Sequence, residues 1–233
     1  MNNNKAKILE TKQISKKYIS SYNQSCLALN NIDLTIYENE IVCIIGESGS
    51  GKSTLLNVLS GLAQPTTGEV YFKNHKLHEL TDNELSIIRN KHFGFIFQFH
   101  NLLPEFTVLE NILIPQMIDR KNFVDKTAKE KAITLLNKLG IGNKIMNFPK
   151  ELSGGEAQRA AIARALINNP DIIFADEPTG NLDAKNRENI YDILEEVNDN
   201  FHSSIVLVTH DKEIKLKDYK TRTICLKDGN ILI

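Results

Sequence analysis

Four short apolar runs set the rhythm of this chain, and each leads directly into a glycine or a polar side chain. Ile41-Val42-Cys43-Ile44-Ile45 runs into Gly46, and Phe93-Gly94-Phe95-Ile96-Phe97 into Gln98. Ile172-Ile173-Phe174-Ala175 runs into Asp176-Glu177, and Ser204-Ile205-Val206-Leu207-Val208-Thr209 into His210. Runs of this kind predict strands buried on both faces. Ile32-Asp33-Leu34-Thr35-Ile36 alternates instead, as a half-buried strand does. With Ile8, Ile14 and Leu29 it predicts strands joined by a polar loop between Ile8 and Tyr37, and Gly68-Glu69-Val70-Tyr71-Phe72 predicts another.

Helical periods fill the gaps. Thr54 to Leu59 follows the first glycine loop, and Thr81-Asp82-Asn83-Glu84 carries a helix-start signature ahead of Leu85, Ile87 and Ile88. From about Asn101 to Pro149 the chain changes character. Pro104 and Pro115 punctuate its start; then Asp125 to Leu139 places Ala128, Ala132, Leu135, Leu136 and Leu139 on one face, closed by Gly140. Ser153 and Glu156 form a capping box before an alanine-rich helix that ends short of Pro170, and another helix surrounds Ile190 to Leu194. Lys227-Asp228-Gly229-Asn230 predicts a closing hairpin, and Lys212 to Lys220 a solvated helix face. Strands alternating with helices predict an α/β class with a mainly parallel sheet.

The chain has 233 residues, 41% hydrophobic and 24% charged, with a formal net charge of −1, which is ample for a core and makes no electrostatic case for nucleic acid. No stretch reaches the roughly 20 apolar residues of a membrane span. Met1-Asn2-Asn3-Asn4-Lys5 lacks the apolar core of a signal peptide. The expected location is cytoplasmic, with any membrane reached through a partner. Cys26, Cys43 and Cys225 are far apart without metal-type spacing, and the latter two lie in apolar runs as small hydrophobes.

Candidate chemistry sits at the ends of the apolar runs, where open α/β sheets collect ligands. Gly46-Glu47-Ser48-Gly49-Ser50-Gly51-Lys52-Ser53 fits the P-loop pattern, between a predicted strand and a helix start at Thr54. Its backbone N–H groups and the helix N-terminus suit phosphate; Lys52 would reach the β- and γ-phosphates and the Ser53 hydroxyl would ligate Mg²⁺. Asp176 and Glu177 end an apolar strand as an acidic pair, suited to holding the metal's water shell and to acting as base. Gln98 would ligate Mg²⁺ or position a water. Leu152-Ser153-Gly154-Gly155-Glu156 is odd: two glycines in a first helical turn weaken the helix yet bare its N–H groups beside a serine, a second anion site. Tyr18, on spacing alone, reads as either a half-buried sheet tyrosine or a ring for stacking on a base.

Taken in order, the P-loop, Gln98, the Leu152–Glu156 segment, Asp176-Glu177, Asn181-Leu182-Asp183 and His210 resemble the nucleotide-binding subunit of ATP-binding cassette (ABC) transporters over essentially the whole chain. The resemblance implies an α/β P-loop NTPase core with a mainly parallel sheet, an N-terminal antiparallel β subdomain and a helical subdomain. It divides residues 1–233 into a core (about 1–98 and 167–233) and a helical part (about 99–166). It implies ATP and Mg²⁺ as cofactors, with Tyr18 stacking on adenine and Gly46, Glu47, Ser48, Gly49, Ser50, Gly51, Lys52, Ser53 and Thr54 binding ATP. Ser53, Gln98 and Asp176 would surround Mg²⁺; Glu177 would activate water, with Gln98 and His210 completing the catalytic set. Two copies would pair head to tail, so that Ser153, Gly154, Gly155 and Asp183 serve the partner's site.

A narrower likeness follows. Phe97-Gln98-Phe99-His100-Asn101-Leu102-Leu103-Pro104 and its continuation to Asn111 are similar to the lipoprotein-releasing (LolD-type) ATPases. Ala157 stands where that type commonly has arginine. The resemblance implies a peripheral ATPase on the cytoplasmic face of the inner membrane, bound to integral permease subunits and not to nucleic acid. Glu177-Pro178-Thr179-Gly180-Asn181-Leu182-Asp183 is shared with macrolide-exporter and cell-division branches. A soluble cassette acting on ribosomes would carry two cassettes or a long coiled-coil insertion, and a scaffold would not need Glu177 and His210.

Overall fold

The computed structural model describes residues 5–19, 25–118, 126–211, 216 and 221–232. β1 (Lys7–Ile19) and β2 (Ser25–Tyr37) form a long antiparallel pair, as the resemblance implies; the polar loop expected between them lies outside the described residues. β3 (Ile41–Ile45) leads through the glycine loop into α1 (Lys52–Leu59). β4 (Thr67–Phe72) and the short β5 (His75–Lys76) follow, then α2 (Asp82–His92) and β6 (Phe93–Phe97). The helical stretch holds α3 (Val108–Ile118), α4 (Lys126–Lys138) and α5 (Gly154–Leu166). β7 (Ile172–Asp176), α6 (Ala184–Phe201), β8 (Ser204–Thr209), β9 (Thr221–Lys227) and β10 (Asn230–Leu232) complete the chain.

Two sheets result. One has the order β2-β1-β4-β5 and is antiparallel; the other has the order β10-β9-β3-β8-β7-β6. From β9 to β6 every pairing in the second sheet is parallel, and only the terminal hairpin strand β10 runs the other way. The four apolar runs are therefore neighbours. Their side chains alternate between two cores: Ile41 and Cys43 join Ile173, Ile205 and Leu207 on one face, while Val42 and Ile44 join Phe174, Val206 and Val208 on the other. The second face also takes α1 and the antiparallel sheet, through Leu55, Leu56, Ile14, Leu29 and Ile36.

Among the described residues the helical stretch has no separate core. Ile112, Ala132, Leu136 and Ala163 belong to the same apolar cluster as sheet residues Ile96 and Ala175. Both capping boxes form: Thr81 with Glu84, and Ser153 with Glu156. Gly140 has φ 71 and follows the helix whose Ala128, Ala132, Leu135 and Leu136 are buried. Ala157 is also buried, so a small side chain fits there. The closing hairpin turns at Asp228 (φ 48) and Gly229 (φ 74). Apart from Leu216, the reading of Lys212 to Lys220 as a helix face lies outside the described residues.

Candidate nucleotide site

Because β3, β8, β7 and β6 are parallel neighbours, their carboxyl ends stand side by side. Gly46, His210, Asp176-Glu177 and Gln98 are thereby placed along one edge of the sheet. A cleft of about 680 Å³ opens there, walled by Ser48, Gly49, Gly51, Lys52, Ser53, Thr54, Gln98, Glu177 and His210, with Tyr18 among the lining residues.

The glycine loop is shaped by what lies behind it. A Cβ on Gly46 would stand 2.3 Å from the Leu226 carbonyl oxygen, and one on Gly51, whose φ is 103°, 2.4 Å from that of Ala28. Both obstacles are backbone and have little room to give. Gly46→Ala should therefore lower stability by about 1–3 kcal/mol and weaken nucleotide binding, read by thermal melting and by titration with a fluorescent ATP analogue. The Lys52 ammonium is buried within the curl, donating to Gly46 O at 2.9 Å and Glu47 O at 2.8 Å. The Ser53 hydroxyl donates to Asp176 Oδ1 at 3.0 Å, linking the start of α1 to the tip of β7. Burial holds the Asp176 carboxyl above its ordinary range, opposed by that hydroxyl and by Lys52, with nearby Glu177 raising it further.

Glu177 is held in left-handed backbone, φ 47. Its N–H donates to Val208 O at 2.9 Å and its carbonyl accepts from Gly180 N at 3.1 Å. A non-glycine residue kept in this region costs on the order of 1–3 kcal/mol, and such strain clusters at working sites. It aims the carboxylate at the end of β8, where Glu177 Oε2 lies 2.8 Å from His210 Nδ1. Gln98 contacts the following loop: Asn181 Nδ2 donates to its carbonyl at 3.3 Å, and its Nε2 stands 2.7 Å from where a Cβ on Gly180 would be.

Ser153, Gly154, Gly155 and Asp183 are not among the residues lining this cleft. They lie together elsewhere: Leu182 borders Gly154, and the Asn186 side chain borders Gly155. Asp183 caps α6, accepting from Asn186 N at 2.8 Å, and that bond draws its carboxyl below the usual range. The sequence-derived site residues thus fall into two clusters on one chain.

Sequence reasoning missed part of the cleft. Cys26, Leu27, Ala28, Asp228 and Gly229 also line it. Tyr18 pairs in register with Cys26 on β2, and Lys16 Nζ lies 5.2 Å from the tyrosine ring centre. The Asp-Gly pair was legible as a turn. Its place against the glycine loop, through Gly229 N donating to Ser50 O at 3.0 Å, was not.

Comparison with known proteins closes the question of family. A model described as ABC transporter matches residues 29–180. The chain belongs to the ABC transporter family. The cassette is 48% identical over 224 residues to the "Lipoprotein-releasing system ATP-binding protein LolD" of Wigglesworthia glossinidia brevipalpis, with 96% of each chain covered. It is 46% identical over 204 residues to the LolD protein of Cytophaga hutchinsonii, covering 88% of this chain and 91% of the other. The dimeric structure of MJ0796, described as a bacterial ABC transporter cassette, matches with TM-score 0.88 and 41% identity over 97% of both chains. A dimeric post-hydrolysis state of that cassette bound to ADP and Pi matches with TM-score 0.87 and 40% identity, again over 97% of both. The cassette is an ATPase of the ABC ATPase fold.

Proposed function

We propose that two copies of this cassette close head to tail over two ATP molecules and power lipoprotein release from the inner membrane, bound to permease subunits at its cytoplasmic face. The observation that carries the pairing is the separation of the two clusters. The cleft with Lys52, Glu177 and His210 has no contribution from the Ser153–Gly155 turn, whose Ser153 and Gly154 are exposed on the same chain while Gly155 is buried. The N–H groups of Gly154 and Gly155, which stand ahead of the Glu156 N–H capped by Ser153, suit a phosphate, and a second copy brings such a turn to the first copy's cleft. The dimeric structure of the MJ0796 cassette supports pairing of two copies.

Within each site the P-loop amides and Lys52 hold the phosphates, and Tyr18 stacks on adenine. Among the described residues no group of three or more His, Cys, Asp or Glu converges as a metal site. The hydroxyl and carboxylate of Ser53 and Asp176 nevertheless suit Mg²⁺, which takes few protein oxygens and keeps phosphate and water around it. With Gln98 they would hold the ion, which supplies charge neutralisation at the phosphates. Glu177 takes the proton of the attacking water, while His210 orients that carboxylate and the γ-phosphate. Asp183 of one copy links to the site of the other. Hydrolysis is positioning and charge stabilisation; the useful work is closing and reopening the pair.

That motion reaches the membrane through the helical stretch. A groove of about 460 Å³ between it and the sheet is lined by Leu62, Phe93, Phe95, Phe97, Ile114 and Ile118, among others. Phe97 immediately precedes Gln98, so an apolar segment of a permease seated there adjoins the nucleotide site. No helix among the described residues is long and apolar enough to cross a membrane, so the permease supplies the span. Purification of the tagged cassette from membranes in mild detergent should recover integral membrane proteins, and its depletion should leave lipoproteins in the inner membrane. Recovery of an exporter with unaffected lipoprotein sorting would redirect the assignment to the macrolide-exporter branch; recovery of division proteins or ribosomes would redirect it accordingly.

A further inference from the structure

The loop after Gln98 is held in an unfavourable shape. His100 (φ 62) and Asn101 (φ 50) are consecutive non-glycine residues in left-handed backbone. Within the loop, Phe97 O accepts from His100 N at 3.1 Å, and Phe99 O accepts from Asn101 N at 2.6 Å. From outside the loop, one side chain bonds to the carbonyls of both left-handed residues. Arg164 Nη2 donates to His100 O at 2.7 Å, and Arg164 Nη1 donates to Asn101 O at 2.5 Å. The planar fork of a guanidinium suits this paired acceptance.

Arg164 belongs to α5, the helix that begins at Gly154 with Ser153 as its cap. The side chain is largely buried, and burial draws its pKa down from the ordinary arginine value. Arg164 and Asn101 are also both wall residues of the apolar groove. One guanidinium thus touches three things: the groove, the loop carrying Gln98, and the helix presenting the Ser153 turn.

We propose that Arg164 is a positioning residue of the ATPase, fastening the Gln98 loop to the signature helix. Gln98 of a copy's own site and the Ser153 turn it lends to its partner then move as one body. A segment seated in the groove presses on Arg164 and Asn101 and is felt at both half-sites. This rests on the reading, proposed above, that Gln98 serves hydrolysis. A plain structural staple would show itself as lost stability alone.

The test compares Arg164→Met, Arg164→Lys, Gln98→Ala and the double variant Gln98→Ala/Arg164→Met in the full chain, by steady-state ATP hydrolysis and thermal melting. Arg164→Met should lose about tenfold or more in kcat with KM for ATP within about twofold, because the P-loop is untouched. Arg164→Lys keeps the charge but not the fork, so it should fold normally and show an intermediate kcat. The double variant should be no slower than Gln98→Ala by more than about twofold, since both act through one loop. Parent-like kcat in Arg164→Met beside an impaired Gln98→Ala overturns the positioning role and leaves Gln98 standing. So do multiplied losses in the double variant. Full activity in Gln98→Ala removes both Gln98 and this proposal. Should Arg164→Met fail to fold, Arg164→Lys decides: parent-like kcat counts against the proposal, and reduced kcat at unchanged KM and melting temperature supports it.

Discussion

Glu177→Gln is expected to bind ATP, remain dimeric with ATP bound, and turn over at least about a hundredfold more slowly than the parent, since a well-placed general base contributes roughly 10²–10⁴ in rate. The substitution isolates chemistry from shape. Glutamine matches glutamate in size and keeps an acceptor for His210, which stands 2.8 Å from the carboxylate. The backbone cost of φ 47 is carried by the hydrogen bonds to Val208 and Gly180, which do not involve the side chain. What is lost is the ability to take a proton from water. Phosphate release, together with size-exclusion chromatography with and without ATP, reads both halves of the prediction. Substantial residual hydrolysis would remove Glu177 from the base role. Slow hydrolysis without a persistent ATP-bound dimer would count against dimer closure as the step that hydrolysis reverses.

The second large effect concerns the half-site that, in the proposed pairing, is lent to the partner. Gly154→Asp should abolish ATP-dependent dimerisation and turnover, while a single chain still binds ATP within about twofold of the parent. Gly154 is exposed and is the first residue of α5. An added Cβ would meet Leu182 Cδ2 at 3.3 Å, a tight contact that a shift of a few tenths of an ångström at the end of that flexible side chain relieves. A carboxylate at a helix N-terminus favours the folded chain on its own, so stability should hold. In the proposed pairing it would face the partner's γ-phosphate, and the same charge would repel. Nucleotide titration of the monomer and sedimentation with ATP separate the two effects. If monomeric ATP affinity collapses, the turn acts on its own chain's site and the head-to-tail pairing is wrong. If the variant dimerises normally with ATP, the turn is not at the interface.

These two variants mark different levels of legibility. Glu177 was readable because its neighbours repeat a local pattern: a buried apolar strand ending in an acidic pair. Most of the fold was readable on the same terms. The strict alternation from Ile32 to Ile36 is the burial pattern observed on β2, and both capping boxes form where serine or threonine stands three residues before glutamate. From the residues alone, Gly154 was visible as an anomaly and a candidate anion site, two glycines weakening a helix start; only the family resemblance implied a partner for it. Under the proposed pairing, its purpose depends on a surface that a second copy covers.

Taken alone, the sequence determined the elements and the chemistry at their ends. Strand period, helix period, caps and the Asp-Gly turn are set by interactions within a few residues, and so are the bonds of Lys52 to carbonyls of its own curl. Only the tertiary structure decided which ends meet. The strand order β9-β3-β8-β7-β6 depends on pairing across long separations. It alone brings Ser53 to Asp176 and Glu177 to His210. The same holds for the hairpin turn behind the glycine loop and for Arg164 on the carbonyls of His100 and Asn101. Those contacts go to backbone atoms, which every residue has. They leave little trace in residue type, and so no local pattern announced them.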